Sequence, residues 1–172
     1  VPPVADRADD VAERAAVAKR AAEAGAAVAH EHFRSDIAVE TKGEDDVVTE
    51  ADRAAQRAVI ASIRESFPDD AVVGEEEDER KTVPDDGAAW VIDPIDGTNN
   101  YVRDVRVWAT AVAAVVDGEP VAAAIVAPAL GDTYTADATG AYRNGEPIAV
   151  SDVAEPRKAA VDPTIWWAYD AR

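Results

Sequence analysis

The sequence contains no cysteine, which excludes disulfides, a thiolate nucleophile and any cysteine-based metal site. Methionine is absent as well, so no initiator residue stands in the chain. Lysine is scarce: four residues (Lys19, Lys42, Lys81 and Lys158) stand against 13 arginines. Aromatic residues make up only 6% of the chain. No stretch approaches the ~18 consecutive apolar residues that a membrane span requires. The longest apolar runs, 107–116 and 121–130, are ten residues each and contain Thr110 and Pro128. The first residues are acidic and lack the basic-then-apolar pattern of a signal peptide, so a cytoplasmic protein is expected.

What is present is enough for one folded unit. The chain has 172 residues, 48% of them apolar, which suits a single domain with a real core. Alanine alone accounts for 39 residues, so the core is expected to be thin in bulky side chains. The formal net charge is −18, from 35 acids and 17 bases. Such a surface disfavours nucleic acid, which is bound by displacing counterions with basic groups. It equally disfavours anionic lipid. Many acids, few lysines and abundant alanine together suggest adaptation to molar salt, where screening over about 3 Å removes most self-repulsion.

Helical periodicity fills the first third. Ala8, Val11, Ala15, Ala18, Ala22, Ala26, Ala29 and Phe33 recur at three- and four-residue steps and form one apolar stripe. The pattern stops in a polar stretch, 35–46, that holds Lys42 and Gly43. A second helix is expected from Thr49, burying Ala51, Ala55, Ala58, Val59, Ser62, Ile63 and Phe67, with Pro68 as its stop. The period then changes. Short strands are expected at 71–74 and 90–93. A hairpin follows at 107–117 and 119–127, joined at Asp117-Gly118, then strands at 133–136, 141–143 and 148–151 with a tight turn at Asn144-Gly145. Two helices followed by short strands and tight turns predict an α+β domain, with both helices packed on an antiparallel sheet. The last segment, 164–169, holds three aromatics, which usually bury 150–250 Å² each, and little sequence remains to cover them.

Three segments carry candidate chemistry. In Trp90-Val-Ile-Asp93-Pro94-Ile95-Asp96-Gly97-Thr98 a buried strand delivers Asp93, Pro94 removes a donor, and Asp96 returns three residues later. Gly97 permits a close backbone approach. Two converging carboxylates suit a hard divalent cation, and free amides at Gly97 and Thr98, opening a helical turn, suit a phosphate. A plain Asx turn explains a lone Asp-Pro or Asp-Gly equally well. Gly74-Glu75-Glu76 follows an apolar strand, but a glutamate run in so acidic a chain is ordinarily a solvated face. In Asp46-Val-Val-Thr49-Glu-Ala-Asp52, Thr49 and Asp52 have the spacing of a helix capping box, so Asp52 serves as a cap, a metal neighbour or both.

In chain order, Asp46-Val-Val-Thr-Glu-Ala-Asp52, Phe67-Pro68, Val73-Gly-Glu-Glu76 and Trp90-Val-Ile-Asp-Pro-Ile-Asp-Gly-Thr98 resemble the inositol monophosphatase family. Its wider group includes archaeal fructose-1,6-bisphosphatases and phosphoadenosine-phosphate phosphatases. Ala127-Pro128, Tyr134-Thr-Ala136 and Gly140-Ala-Tyr-Arg-Asn-Gly145 fit as well, and the resemblance covers roughly 8–153. It implies the N-terminal half of a layered sugar-phosphatase fold, with 1–153 as an α+β metal-binding domain and 154–172 as the start of a truncated or missing C-terminal α/β half. It implies that Glu75, Asp93, Asp96 and the Ile95 carbonyl ligate metal, Glu75 being shared between ions. Asp52 and Thr98 would orient the attacking water, with Glu75 in the catalytic set, and the Gly97 and Thr98 amides would contact the phosphate. Lys42 and Glu76 take supporting places. The implied cofactor is two or three Mg²⁺, or Mn²⁺. The implied reaction is hydrolysis of a phosphate monoester of a small sugar or polyol, inositol-1-phosphate or fructose-1,6-bisphosphate first and a nucleotide third, by metal-activated water. The resemblance also suggests a homodimer. The family's later Trp-Asp motif has no match here, since Trp167-Ala-Tyr-Asp170 has the wrong spacing. A non-catalytic metal- or phosphate-binding or assembly domain is the competing expectation.

Overall fold

The structure is a computed structural model, and it describes residues 4–35, 39–41, 47–74 and 80–158. Helix α1 (Val4–His32) is followed by a small antiparallel ribbon of β1 (Val39–Thr41) and β2 (Val47–Thr49). Helix α2 (Glu50–Arg64) begins directly after β2, one residue beyond the expected Thr49. Then come β3 (Ala71–Gly74), β4 (Ala88–Asp96), the single turn α3 (Thr98–Tyr101), β5 (Ala109–Val116), β6 (Glu119–Ala127), β7 (Asp132–Asp137), β8 (Gly140–Arg143) and β9 (Glu146–Ile148). A short 3₁₀ turn, Pro156–Lys158, ends the described chain.

The strands form one seven-stranded sheet in sequence order, β3 to β9. The α+β expectation holds, with one difference at the edge. β3 runs parallel to β4, and every other ladder is antiparallel. The charged segment between β3 and β4 is long enough to carry the chain back to the start of the sheet, which a two-residue hairpin cannot do. The tight turns were legible. Asp117-Gly118 and Asn144-Gly145 take positive φ (52° and 79°, 52° and 85°), as a two-residue hairpin with right-handed strand twist requires. The expected strand at 148–151 lies earlier, because Glu146 and Pro147 find partners on β8 while Val150 stands 95% exposed.

Both long helices lie on one face of the sheet. The alternation along β4 turns Trp90 and Ile92 towards them, opposite Ala114 and Val112 of β5 and then Ala122 and Ala124 of β6. Ala18, Ala21, Ala22 and Ala26 of α1 complete this core with Val59 and Ile63 of α2. Alanine permits the close helix approach that the sequence suggested, and Gly25 marks its tightest point. A Cβ there would sit 2.5 Å from Val59 Cγ2 and 3.3 Å from the Ala55 carbonyl oxygen. The near end of the sheet has its own cluster, with Ala29, Ala51, Ala55, Ile95, Tyr101 and Trp108 buried together.

Candidate functional site

The Asp-Pro-Ile-Asp segment is a distorted strand and not a free turn. In a regular strand, residues three apart face opposite sides. Here Asp93 pairs with Ala111 and Asp96 with Ala109, so β4 has one residue more than β5 between the same two rungs. Pro94 and Ile95 form the bulge. Because Ala109 and Ala111 share a face, this register returns Asp96 to the side of Asp93, away from the helices. Proline is tolerated at such a bulge because no ladder donor is needed there. The Pro94 carbonyl accepts the buried Thr110 hydroxyl at 2.7 Å, which fixes the distortion from the neighbouring strand.

Gly97 ends the strand in the left-handed region, φ 89° and ψ 38°. A Cβ at this position would lie 3.2 Å from the Val107 carbonyl oxygen, so both conformation and space call for glycine. The chain then turns into α3. Asn100 and Tyr101 donate their amides to the Gly97 carbonyl at 2.8 and 3.0 Å.

This turn brings Thr98 to Asp52, 46 residues earlier in the chain. Thr98 Oγ1 lies 3.4 Å from Asp52 Oδ1 and 2.9 Å from the Ile95 carbonyl oxygen. A hydroxyl has one proton, so it donates to one of these acceptors at a time. Asp52 stands in the first turn of α2 and is 2% exposed. The capping-box reading is thus incomplete: Asp52 also meets a hydroxyl from another element. Beside it, burial first and the Asp52 carboxylate second push the Tyr101 hydroxyl well above the ordinary tyrosine value.

Asp93 is half-buried and Asp96 exposed. Asp93 has other interactions, but its Oδ1 is buried and meets no donor among the described residues. The Ile95 carbonyl keeps a second lone pair beyond the one that meets Thr98. Two carboxylates and a carbonyl are hard oxygen donors, and they fit Mg²⁺ or Mn²⁺. Among the described residues no group of three acidic, histidine or cysteine side chains gathers as a metal site on its own. Glu75, the third carboxylate of the implied set, lies outside the described residues, as do Glu76, Lys42, Asp46, the aromatic segment 164–169 and most of the implied second unit 154–172. Gly74, the last residue of β3, pairs with Ile92, so parallel pairing puts the carboxyl ends of β3 and β4 at one edge. The Lys81 ammonium donates to the Gly74 carbonyl there at 2.8 Å.

Sequence reasoning passed over Tyr101, Trp108 and Thr110. Tyr101 and Trp108 drew no reading of their own, and Thr110 read as an interruption in an apolar run. The available signal was position: Tyr101 follows Thr98 by three residues, so in a helical turn it lies on the same side. His30 and His32 sit in the last turn of α1, where the helix dipole suits them.

The comparisons agree with this fold. The profile described as the inositol monophosphatase family matches residues 10–168. A histidinol-phosphatase of Chlorobaculum parvum is 40% identical over 129 residues, covering 74% of this chain and 49% of that protein. A fructose-1,6-bisphosphatase/inositol-1-monophosphatase of Thermotoga maritima is 40% identical over 120 residues, covering 69% of this chain and 45% of its own. Among solved structures, an IMPase of Thermotoga maritima superposes with a TM-score of 0.70 at 36% identity, covering 85% of this chain and 55% of that one. The chain spans about half the length of the curated relatives it matches. A profile match over most of the chain, relatives at 40% identity and the shared fold place the chain in the inositol monophosphatase family.

Proposed function

We propose that this chain carries the metal-binding half of a phosphatase site that hydrolyses a phosphate monoester of a small sugar, polyol or amino alcohol. The observation that carries the reading is the Thr98–Asp52 contact at 3.4 Å, made at the end of a strand that bears two further aspartates. Asp93, Asp96 and the Ile95 carbonyl would hold Mg²⁺ or Mn²⁺, with Glu75 from the segment after β3. Bound there, the ion supplies a Lewis acid for the ester's phosphoryl oxygens. Thr98 accepts a hydrogen bond from the attacking water while donating its own proton to Asp52, which orients the water and draws off its proton. Gly97 and Thr98 offer backbone amides to the phosphate. The names of the relatives support histidinol phosphate, fructose-1,6-bisphosphate and inositol-1-phosphate as the substrates to try.

The test is phosphate release from these three esters by the 172-residue chain, with and without Mg²⁺, in wild type and Asp93→Asn. We expect metal-dependent release that Asp93→Asn lowers at least roughly 100-fold while the melting temperature stays close to wild type. Wild-type turnover in the variant would sink the metal assignment. No release from the wild type, combined with a Mg²⁺-dependent rise in melting temperature of the size RT ln(1 + [L]/Kd) predicts, would turn the reading to a binding domain.

We also propose that the acidic surface is an adaptation to salt in the cytoplasm. Asp85, Asp86, Asp117 and Glu119 are all exposed around the far ends of β4, β5 and β6. A melting temperature that climbs between dilute buffer and molar KCl is expected, because the Debye length shrinks to about 3 Å. A flat or falling curve would remove the idea.

A further inference from the structure

We propose that Tyr101 is a positioning residue for the Thr98–Asp52 couple, its hydroxyl fastening the turn that carries Thr98 to the end of α1. The inference rests on the hydrolase reading for its catalytic consequence and on geometry for the fastening itself.

α3 is a helix of four residues. A turn so short does not hold itself, because helix nucleation is unfavourable and only continued propagation repays it. Its position must come from what it is tied to. On one side Asn100 Nδ2 donates to the Val107 carbonyl at 2.7 Å, closing the loop that returns to β5. On the other side the Tyr101 hydroxyl donates to the Ala29 carbonyl at 2.6 Å. Ala29 lies in the last turn of α1, where carbonyls have no partner within the helix, so the bond satisfies a group that burial would otherwise orphan. Tyr101 is 1% exposed. Its ring meets Trp108 edge-on at 4.9 Å and Phe33 at 5.4 Å.

The consequence reaches Thr98 through the backbone. Tyr101 donates its amide to Gly97 at 3.0 Å, and Val102 donates to Thr98 itself at 2.9 Å. Thr98 therefore moves with Tyr101. Asp52 is anchored separately, in α2, whose Ala51 and Ala55 are buried in the same cluster as Ala29. The Tyr101 hydroxyl thus ties the Thr98 turn to the helix end that Asp52's own helix packs against. The Thr98–Asp52 contact, 3.4 Å, stands near the limit of a hydrogen bond, so a small drift of α3 breaks it. Tyr101 does not act as a base. Burial and the neighbouring carboxylate keep its hydroxyl protonated, and its proton is committed to Ala29.

Tyr101→Phe removes the hydroxyl and keeps the ring. Two readouts need no substrate or turnover. Amide hydrogen exchange should quicken roughly tenfold at Tyr101 and Val102 while the amides of Val112 and Ala124, in the middle of β5 and β6, keep their wild-type rates. The melting losses of Tyr101→Phe and Thr98→Ala should fall short of additive in the double variant, because both loosen one turn. The third readout is kinetic: kcat should fall roughly tenfold or more with KM unchanged, and adding Tyr101→Phe to Thr98→Ala should lower kcat no further. Unchanged exchange at Tyr101 and Val102 overturns the proposal. So does an equal quickening across β5 and β6, which would mark Tyr101 as a general stabiliser. Additive kcat losses overturn the catalytic part alone. A wild type that releases no phosphate defeats the hydrolase reading, and the exchange and melting results still decide whether Tyr101 fastens the turn.

Discussion

Two tryptophans anchor two buried clusters at opposite ends of this sheet, and the clusters are built on different terms. Trp90 belongs to the far cluster. Its Nε1 donates to Asp70 at 2.9 Å, and the same carboxylate oxygen accepts Arg14 Nη1 at 2.6 Å. The Arg14 guanidinium lies 4.2 Å from the centre of the Phe67 ring and 5.8 Å from that of Trp90. Every polar tip here has a partner. Trp108 belongs to the near cluster, under the candidate site. It is 3% exposed, yet its Nε1 has no hydrogen-bond partner among the described residues. Positive φ occurs at both ends, at Gly97, Arg34 and Asp104 here and at Gly87, Asp117 and Gly118 beyond Trp90. The ends differ in polar pairing: the cluster under the candidate site holds an unmatched donor, the kind of cost that natural proteins concentrate at functional sites.

The far cluster gives the largest expected effect. Arg14 is 6% exposed and bridges Asp10 of its own helix to Asp70 after α2. Burial works against its charge, but the bonds to Asp70 and Asp10 outweigh it and hold the guanidinium above its ordinary pKa. It therefore stays charged at any pH the fold survives. Arg14→Ala leaves a half-buried carboxylate with only the Trp90 donor and strips a cation from two aromatic faces. The expected loss is about 3 kcal/mol in urea unfolding. A loss below about 1 kcal/mol would mean that the pair behaves as a surface ion pair and that the far cluster is not held as described.

The same contrast explains what could be read from the sequence. The far cluster is made of regular elements, and periodicity locates those: the alanine stripe of α1, Val59 and Ile63 on α2, Trp90 and Ile92 on β4. Asp117-Gly118 and Asn144-Gly145 were legible because positive φ has few takers. The site motif was legible as a string and not as a shape. Asp93 and Asp96 are three apart, and nothing in their identity says that Pro94 and Ile95 share one rung opposite Thr110. The parallel pairing of β3 with β4 depends on the route of a charged segment, which leaves no periodic trace. Neither β1 nor β2 was foreseen, since three-residue strands lie below the length at which alternation can be recognised. Asp52 was singled out, but its contact with Thr98 across 46 residues is a tertiary fact.

The smallest effect is the sharpest test of the comparison. Phenylalanine in place of either tryptophan removes the same ring volume and the same apolar area. Both sites are buried and both rings sit among aromatics, with Phe67 at 5.5 Å from Trp90 and Phe33 at 5.4 Å from Trp108. The packing losses should therefore nearly cancel in the difference between the two variants. What remains is the indole N–H. Trp90→Phe takes a donor from Asp70, so it gives up a charge-assisted bond. Trp108→Phe takes away a buried donor that satisfies nothing, which relieves a desolvation cost that the folded state now carries. Urea unfolding should then find Trp90→Phe less stable than Trp108→Phe by about 1–3 kcal/mol, with equal m-values. Equal losses would show that the Trp108 N–H meets a hydrogen-bond partner in solution. The orphaned donor would then no longer mark the site end as the one where stability yields to chemistry.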